Sequence, residues 1–169
     1  MKMENSEDPS LRRITDLLQQ GDGYLDLILR GHLHIEQMLR ALIDEWAVNP
    51  KYVTEAKLSF SQKLNIVRSL NLHHPDEPIW QALGALNSLR NDFAHQLNSD
   101  QREKKIQRFI ALTVADSPQQ PRADEATNTR EELLGCLAYL MGSLEGMMEN
   151  YALRSRIAKS AGKILSRKA

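Results

Sequence analysis

An all-α fold is what this 169-residue sequence predicts, on three observations. Glycine and proline are few, at 8 and 6, so most of the chain lacks helix breakers. Alternating β-branched runs are absent, while Leu, Ala, Glu, Gln, Arg and Met dominate. Apolar residues recur at helical spacing in segment after segment.

Six helical segments follow in order. Pro9 and Ser10 start the first, whose Leu11, Ile14, Leu17 and Leu18 share a face, and Gly21-Asp22-Gly23 stops it. The second and longest of the early helices runs from about Tyr24 to Ala47, with Ile28, Ile35, Leu39, Leu42 and Trp46 on one seam and Asn49-Pro50 behind it. A loop around Lys51 to Ala56 leads to a third helix, capped by Ser59 or Ser61 and buried through Phe60, Leu64, Val67 and Leu70. The turn Asn71 to Pro78 ends it, and a fourth helix spans Ile79 to about Ala94. Ser99 or Asp100 caps a fifth, with Ile106, Phe109 and Ile110 inward and Arg102, Lys104, Lys105 and Arg108 outward. Residues 116–128 have linker composition, and Thr129 caps a last helix reaching about Ala161 or beyond.

The expected organisation is therefore residues 1–8 as a flexible N-terminus, 9–161 as a single domain containing the linker, and 162–169 as a basic tail. A chain of this size buries about two-thirds of its unfolded surface, enough for a core without metal or disulfide. Lone Cys136 and an N-terminus without an apolar signal core point to a reducing, cytoplasmic setting. The longest uncharged apolar stretch, Leu133 to Leu144, falls short of the roughly 20 residues of a membrane span. Net charge is zero, 22 basic against 22 acidic residues, yet Arg154, Arg156, Lys159, Lys163, Arg167 and Lys168 follow Glu149 with no acid among them. Such an end is either simply solvated or guides a polyanion together with Lys104, Lys105 and Arg108.

The fourth helix carries the most informative segment, Arg90-Asn91-Asp92-Phe93-Ala94-His95. Ile79, Leu83, Leu86, Arg90, Phe93 and Leu97 step by four and three, so an arginine occupies an apolar seam. A guanidinium there snorkels, meets a carboxylate or awaits an anion. The second helix repeats the anomaly with His32 on its seam and Glu36 one turn on. If the two seams pack together, Arg90 meets Glu36. Arg68 and His73 repeat the Arg-to-His spacing, but His73 falls in the expected turn and serves as an internal control.

These residues resemble the Arg-polar-x3-His motif of the HEPN superfamily, over about Arg30 to His95. The segments Arg30 to Leu39, Leu58 to Lys63 and Arg90 to His95 look most like its mannitol-repressor-related branch. The resemblance implies an up-and-down bundle of about five to six helices that dimerises, so that Arg90 and His95 of two protomers line one cleft. Catalytic members of that superfamily cut RNA without a metal or cofactor, in toxin or defence settings, which makes RNA the implied substrate. An antitoxin, a nucleotidyltransferase or another protein is the implied kind of partner.

The chemistry suits the residue types. A ribose 2′-OH attacks the adjacent phosphorus, so protons must move and phosphate charge must be stabilised. His95, with an ordinary pKa of ~6.5, serves as general acid or base, and Arg90 clamps the phosphate with fixed donors. Asn91 would orient the phosphate or His95, and Glu36 would hold Arg90. Asp92 ranks last, since a carboxylate repels phosphate unless a cation pairs with it. One histidine per chain supplies one proton-transfer group, which favours two facing protomers. The branch resembled is also linked with gene regulation, so the alternative is a noncatalytic regulator acting through protein partners, with Arg90, Glu36 and His95 as a structural polar cluster.

The other candidates read as packing. His32 is expected as a satisfied core residue and His34 as a surface one. His32 with Glu36 gives two ligands where zinc needs three or four. Cys136 lies among Leu133, Leu137 and Leu140 without a neighbour that would stabilise a thiolate. Met141, Met147 and Met148 fit either the core or a dimer contact.

Overall fold

The computed structural model describes residues 23–70, 77–94, 99–116 and 129–166, and every regular element among them is helical. The helices are α1 (Tyr24–Trp46), α2 (Pro50–Glu55), α3 (Phe60–Leu70), α4 (Pro78–Ala94), α5 (Ser99–Asp116) and α6 (Thr129–Ser166). The expected first helix, at Pro9 to Gln20, lies outside the described residues, as do the turn residues 71–76, the linker residues 117–128 and positions 95–98.

Helix α1 is central. Its buried residues Leu27, Ile28, Gly31, His32, Ile35, Met38, Leu39, Leu42 and Ile43 recur every three to four positions, so one broad stripe faces the core. That stripe packs against α6, α3 and α4, while α5 fills the angle between α4 and α6. The α1–α6 approach depends on Gly31: a Cβ there would lie 2.7 and 2.8 Å from the two Leu137 Cδ atoms. Trp46 departs from the expected seam, being 47% exposed. It ends its helix, so one ring edge meets Tyr151 at 5.3 Å between centroids while the rest overhangs into solvent.

The expected loop at Lys51 to Ala56 is instead the short helix α2, opened by Pro50 at its first turn. None of its residues is buried. Arg40 of α1 holds it, donating from Nη2 to the Pro50 carbonyl (3.2 Å) and the Thr54 hydroxyl (2.5 Å) while Nε pairs with Asp44 at 2.8 Å. Lys57, in left-handed conformation at φ 47°, turns the chain away. Ser59 then caps α3, settling the choice between Ser59 and Ser61. Its N–H donates to Gln62 Oε1 (2.8 Å) and its Oγ accepts from the Gln62 N–H (3.4 Å), a reciprocal capping box.

Helix α4 begins at Pro78, one residue earlier than expected, and buries Ile79, Trp80, Ala82, Leu83, Leu86 and Leu89. Helix α5 contributes Ile106, Phe109 and Ile110 as expected, with Thr113 Oγ bonded to the Phe109 carbonyl at 2.9 Å. Helix α6 supplies Leu133, Cys136, Leu137, Leu140, Met141, Leu144 and Tyr151, and continues to Ser166. Met147 is buried and Met148 packs against the same cluster, so the methionines belong to the core. No helix among the described residues is long and apolar enough to cross a membrane.

Candidate functional site

Polar residues of α1, α3 and α4 converge where the sequence places its anomalies. His32, on the buried stripe of α1, stacks on Phe60 at 4.4 Å and 25° and places Nε2 3.0 Å from Asn87 Oδ1. An amide oxygen only accepts, so Nε2 carries the proton and donates it. Asn87 Nδ2 in turn donates to Ser61 Oγ at 3.2 Å, which links all three helices. Burial pushes the His32 pKa below its ordinary 6.5, aided by nearby Arg90 and Lys63 and opposed by the Asn87 hydrogen bond and Glu36. His32 is thus a neutral, satisfied core histidine, in line with its sequence reading.

The expected Arg90–Glu36 bridge is not formed. Glu36 accepts instead from Lys63 Nζ of α3 at 2.7 Å. Lys63 lies one turn beyond the Ser59 cap, which points its long stem across to α1, whereas α4 presents Asn87 to the adjoining turn of α1. Arg90, one turn beyond Asn87, is half-buried, and its Nη1 donates to Asn91 Oδ1 at 3.2 Å. Among the described residues no carboxylate forms an ion pair with Arg90. Counting Lys63 and Arg90 against Glu36, with His32 neutral, the cluster keeps one excess positive charge.

The remaining candidates divide. Asn91 is exposed and touches Arg90. Asp92 turns to the other side of α4 and is ion-paired with Lys105 of α5, so a residue expected at the reacting phosphate and one expected on the RNA backbone neutralise each other. Arg102 sits 5.6 Å above the Phe93 ring, while Lys104 and Arg108 are exposed. His95, Leu97 and the control residue His73 lie outside the described residues. His34 is half-buried. Cys136 is 1% exposed and burial raises its thiol pKa to about 11, as its packing role implies. Among the described residues no three His, Cys, Asp or Glu side chains converge as a metal site.

Asn87, Ser61 and Lys63 are the residues that sequence reasoning missed. The signal for Asn87 was available: it precedes Arg90 by three residues and so lies on the same face of α4. Comparison with protein-family models, curated proteins and solved structures returns no match.

Proposed function

We propose that the protein is a metal-independent endoribonuclease of the HEPN type, acting as a homodimer in a toxin or defence role. The observation that supports this reading is the state of Arg90: a half-buried guanidinium, without a carboxylate partner among the described residues, in a cluster of net positive charge. A phosphate is the anion such a fork accepts with paired donors. Asn91, bonded to Arg90, orients the fork, while Glu36 is engaged by Lys63 and does not hold Arg90. In this reading His95 takes the 2′-OH proton or returns one to the departing 5′ oxygen, with a second protomer supplying the complementary group. The products are a 2′,3′-cyclic phosphate and a free 5′-OH. The row Leu25, Leu29 and Leu33 on α1, 39–57% exposed at one-turn spacing, is the kind of apolar surface a second copy would cover.

A second reading rests on a different observation. The His32–Asn87–Ser61 chain and the Glu36–Lys63 pair are closed by internal bonds, as befits a structural polar cluster in a noncatalytic regulator that works through protein partners. Cleavage of labelled single-stranded and structured RNA in EDTA separates the two. The ribonuclease predicts cyclic phosphate ends from wild type, and their loss in His95→Ala and Arg90→Ala proteins of unchanged helicity. Equal activity of wild type and variants, or none in any, refutes it.

A further inference from the structure

On the side of α4 turned away from His32 lies a cavity of about 370 Å³ between α4 and α5. Its α4 wall is Gln81, Gly84, Ala85 and Ser88, its α5 wall Lys105, Arg108 and Leu112. The spacing on each helix is that of one face, which explains why these residues meet. The hollow exists because α4 presents hydrogen, methyl and hydroxymethyl side chains there: a Cβ built on Gly84 meets nothing within 4 Å. The lining combines two chemistries. Leu112, Ala85 and Gly84 contribute apolar surface, while Arg108, Lys105, Ser88 and Gln81 bring a guanidinium, an ammonium, a hydroxyl and an amide.

The two cations differ in freedom. Lys105 is held by Asp92, which keeps its ammonium at the rim with the side chain 39% exposed. Arg108 is exposed and has no ion-pair partner among the described residues. After Asp92 is set against Lys105, the groove retains the full charge of Arg108. A planar fork of five donors matches phosphate oxygens, and Ser88 can donate or accept beside it. The volume lies within the range of small-ligand sites, and the exposed Gln81, Ser88 and Arg108 leave one side of the groove open to solvent.

We propose that this α4–α5 groove binds a nucleoside phosphate, with the phosphate on Arg108 and Ser88 and the base against Gly84, Ala85 and Leu112. The chemistry is shared by a free nucleotide and by one nucleotide of an RNA strand. It does not depend on cleavage at Arg90, which occupies a different face of α4.

The test is calorimetric titration of the full chain with adenosine 5′-monophosphate, which has no internucleotide bond to cut, so that its outcome is independent of ribonuclease activity. Adenosine and inorganic phosphate are titrated alongside. The groove predicts binding of the monophosphate, at least tenfold weaker in Arg108→Gln, where a charge-assisted hydrogen bond is lost. It predicts similar weakening in Gly84→Leu, whose side chain fills the hollow without changing charge. Arg108 is exposed, so its variant should fold even if Gly84→Leu does not. A short oligoribonucleotide that displaces the monophosphate, with the same sensitivity to Arg108→Gln, identifies the source as a strand. One that binds without displacing it identifies a free nucleotide. Absence of monophosphate binding, equal binding of adenosine or inorganic phosphate, or indifference to Arg108→Gln overturns the proposal.

Discussion

Replacing Gly31 by alanine should destabilise the bundle even though alanine is the better helix former. At an open helical position the exchange gains about 0.5–1 kcal/mol. At Gly31 the added methyl would stand 2.7 and 2.8 Å from the Leu137 Cδ atoms and 3.2 Å from its Cγ. Carbon atoms at optimal contact lie about 3.5–4.0 Å apart, so a retreat of roughly 1 Å is needed. Leu137 is 0% exposed, so its branched end can turn away only at the expense of its own packing, or α1 and α6 must separate. Overpacking of this kind costs about 1–3 kcal/mol, which leaves a net loss of about 0–2.5 kcal/mol. Exposed Gly142, with nothing within 4 Å of its would-be Cβ, is the internal control and should gain stability on the same exchange. Urea unfolding of Gly31→Ala, Gly142→Ala, Leu137→Ala and the Gly31→Ala/Leu137→Ala double variant measures the effect. In the Leu137→Ala background the clash is gone and Gly31→Ala should become neutral or stabilising, a coupling of about 1–3 kcal/mol. If Gly31→Ala and Gly142→Ala shift stability equally, the close approach of α1 to α6 is wrong.

Three further outcomes are expected. The folded-state pKa of His32 lies below its ordinary 6.5, so the unfolded chain takes up the proton first; the contribution of His32 is complete above pH ~6.5 and declines as pH falls toward the folded value. Urea midpoints at pH ~7.5 and ~5.5 should therefore differ more in wild type than in His32→Gln, and equal differences would exclude His32 as the source. Ser59→Ala removes the α3 cap and should cost about 0.5–2 kcal/mol in chemical denaturation, whereas Ser61→Ala, which loses a bond to Asn87 but no cap, leaves the start of α3 intact in amide exchange. Cys136, buried with its pKa raised to about 11, should resist iodoacetamide at pH ~8 in the native protein and react once it is unfolded; rapid native labelling would contradict its burial.

The helices were legible in the sequence wherever periodicity was strong. Ile28, Ile35, Leu39 and Leu42 mark the buried stripe of α1, and Ser59 with Gln62 announces the start of α3. Helix α2 was not legible, because six residues with one partly buried valine show no period and their polar hold comes from Arg40, 10 and 14 residues away. The seams of α1 and α4 told which faces are buried but not which turns lie opposite. That is why Arg90 was matched to Glu36, when the packing order sets Lys63 against Glu36 and Asn87 against His32. Likewise Asp92 and Lys105 were read separately, since their pairing depends on how α5 folds back along α4.

The anchoring of α2 by one guanidinium and one partly buried valine makes this segment a region of low local stability. A helix whose core contact is limited to the partly buried Val53 gains little from the hydrophobic interior, so its opening free energy is set mainly by that contact and by the bonds of Arg40 to the Pro50 carbonyl and Thr54. The Arg40–Asp44 pair lies within α1 and orients the guanidinium, while the two acceptors on α2 are a neutral carbonyl and a neutral hydroxyl. The backbone from Pro50 to Ala56 can therefore detach and return as a unit while the rest of the bundle stays closed.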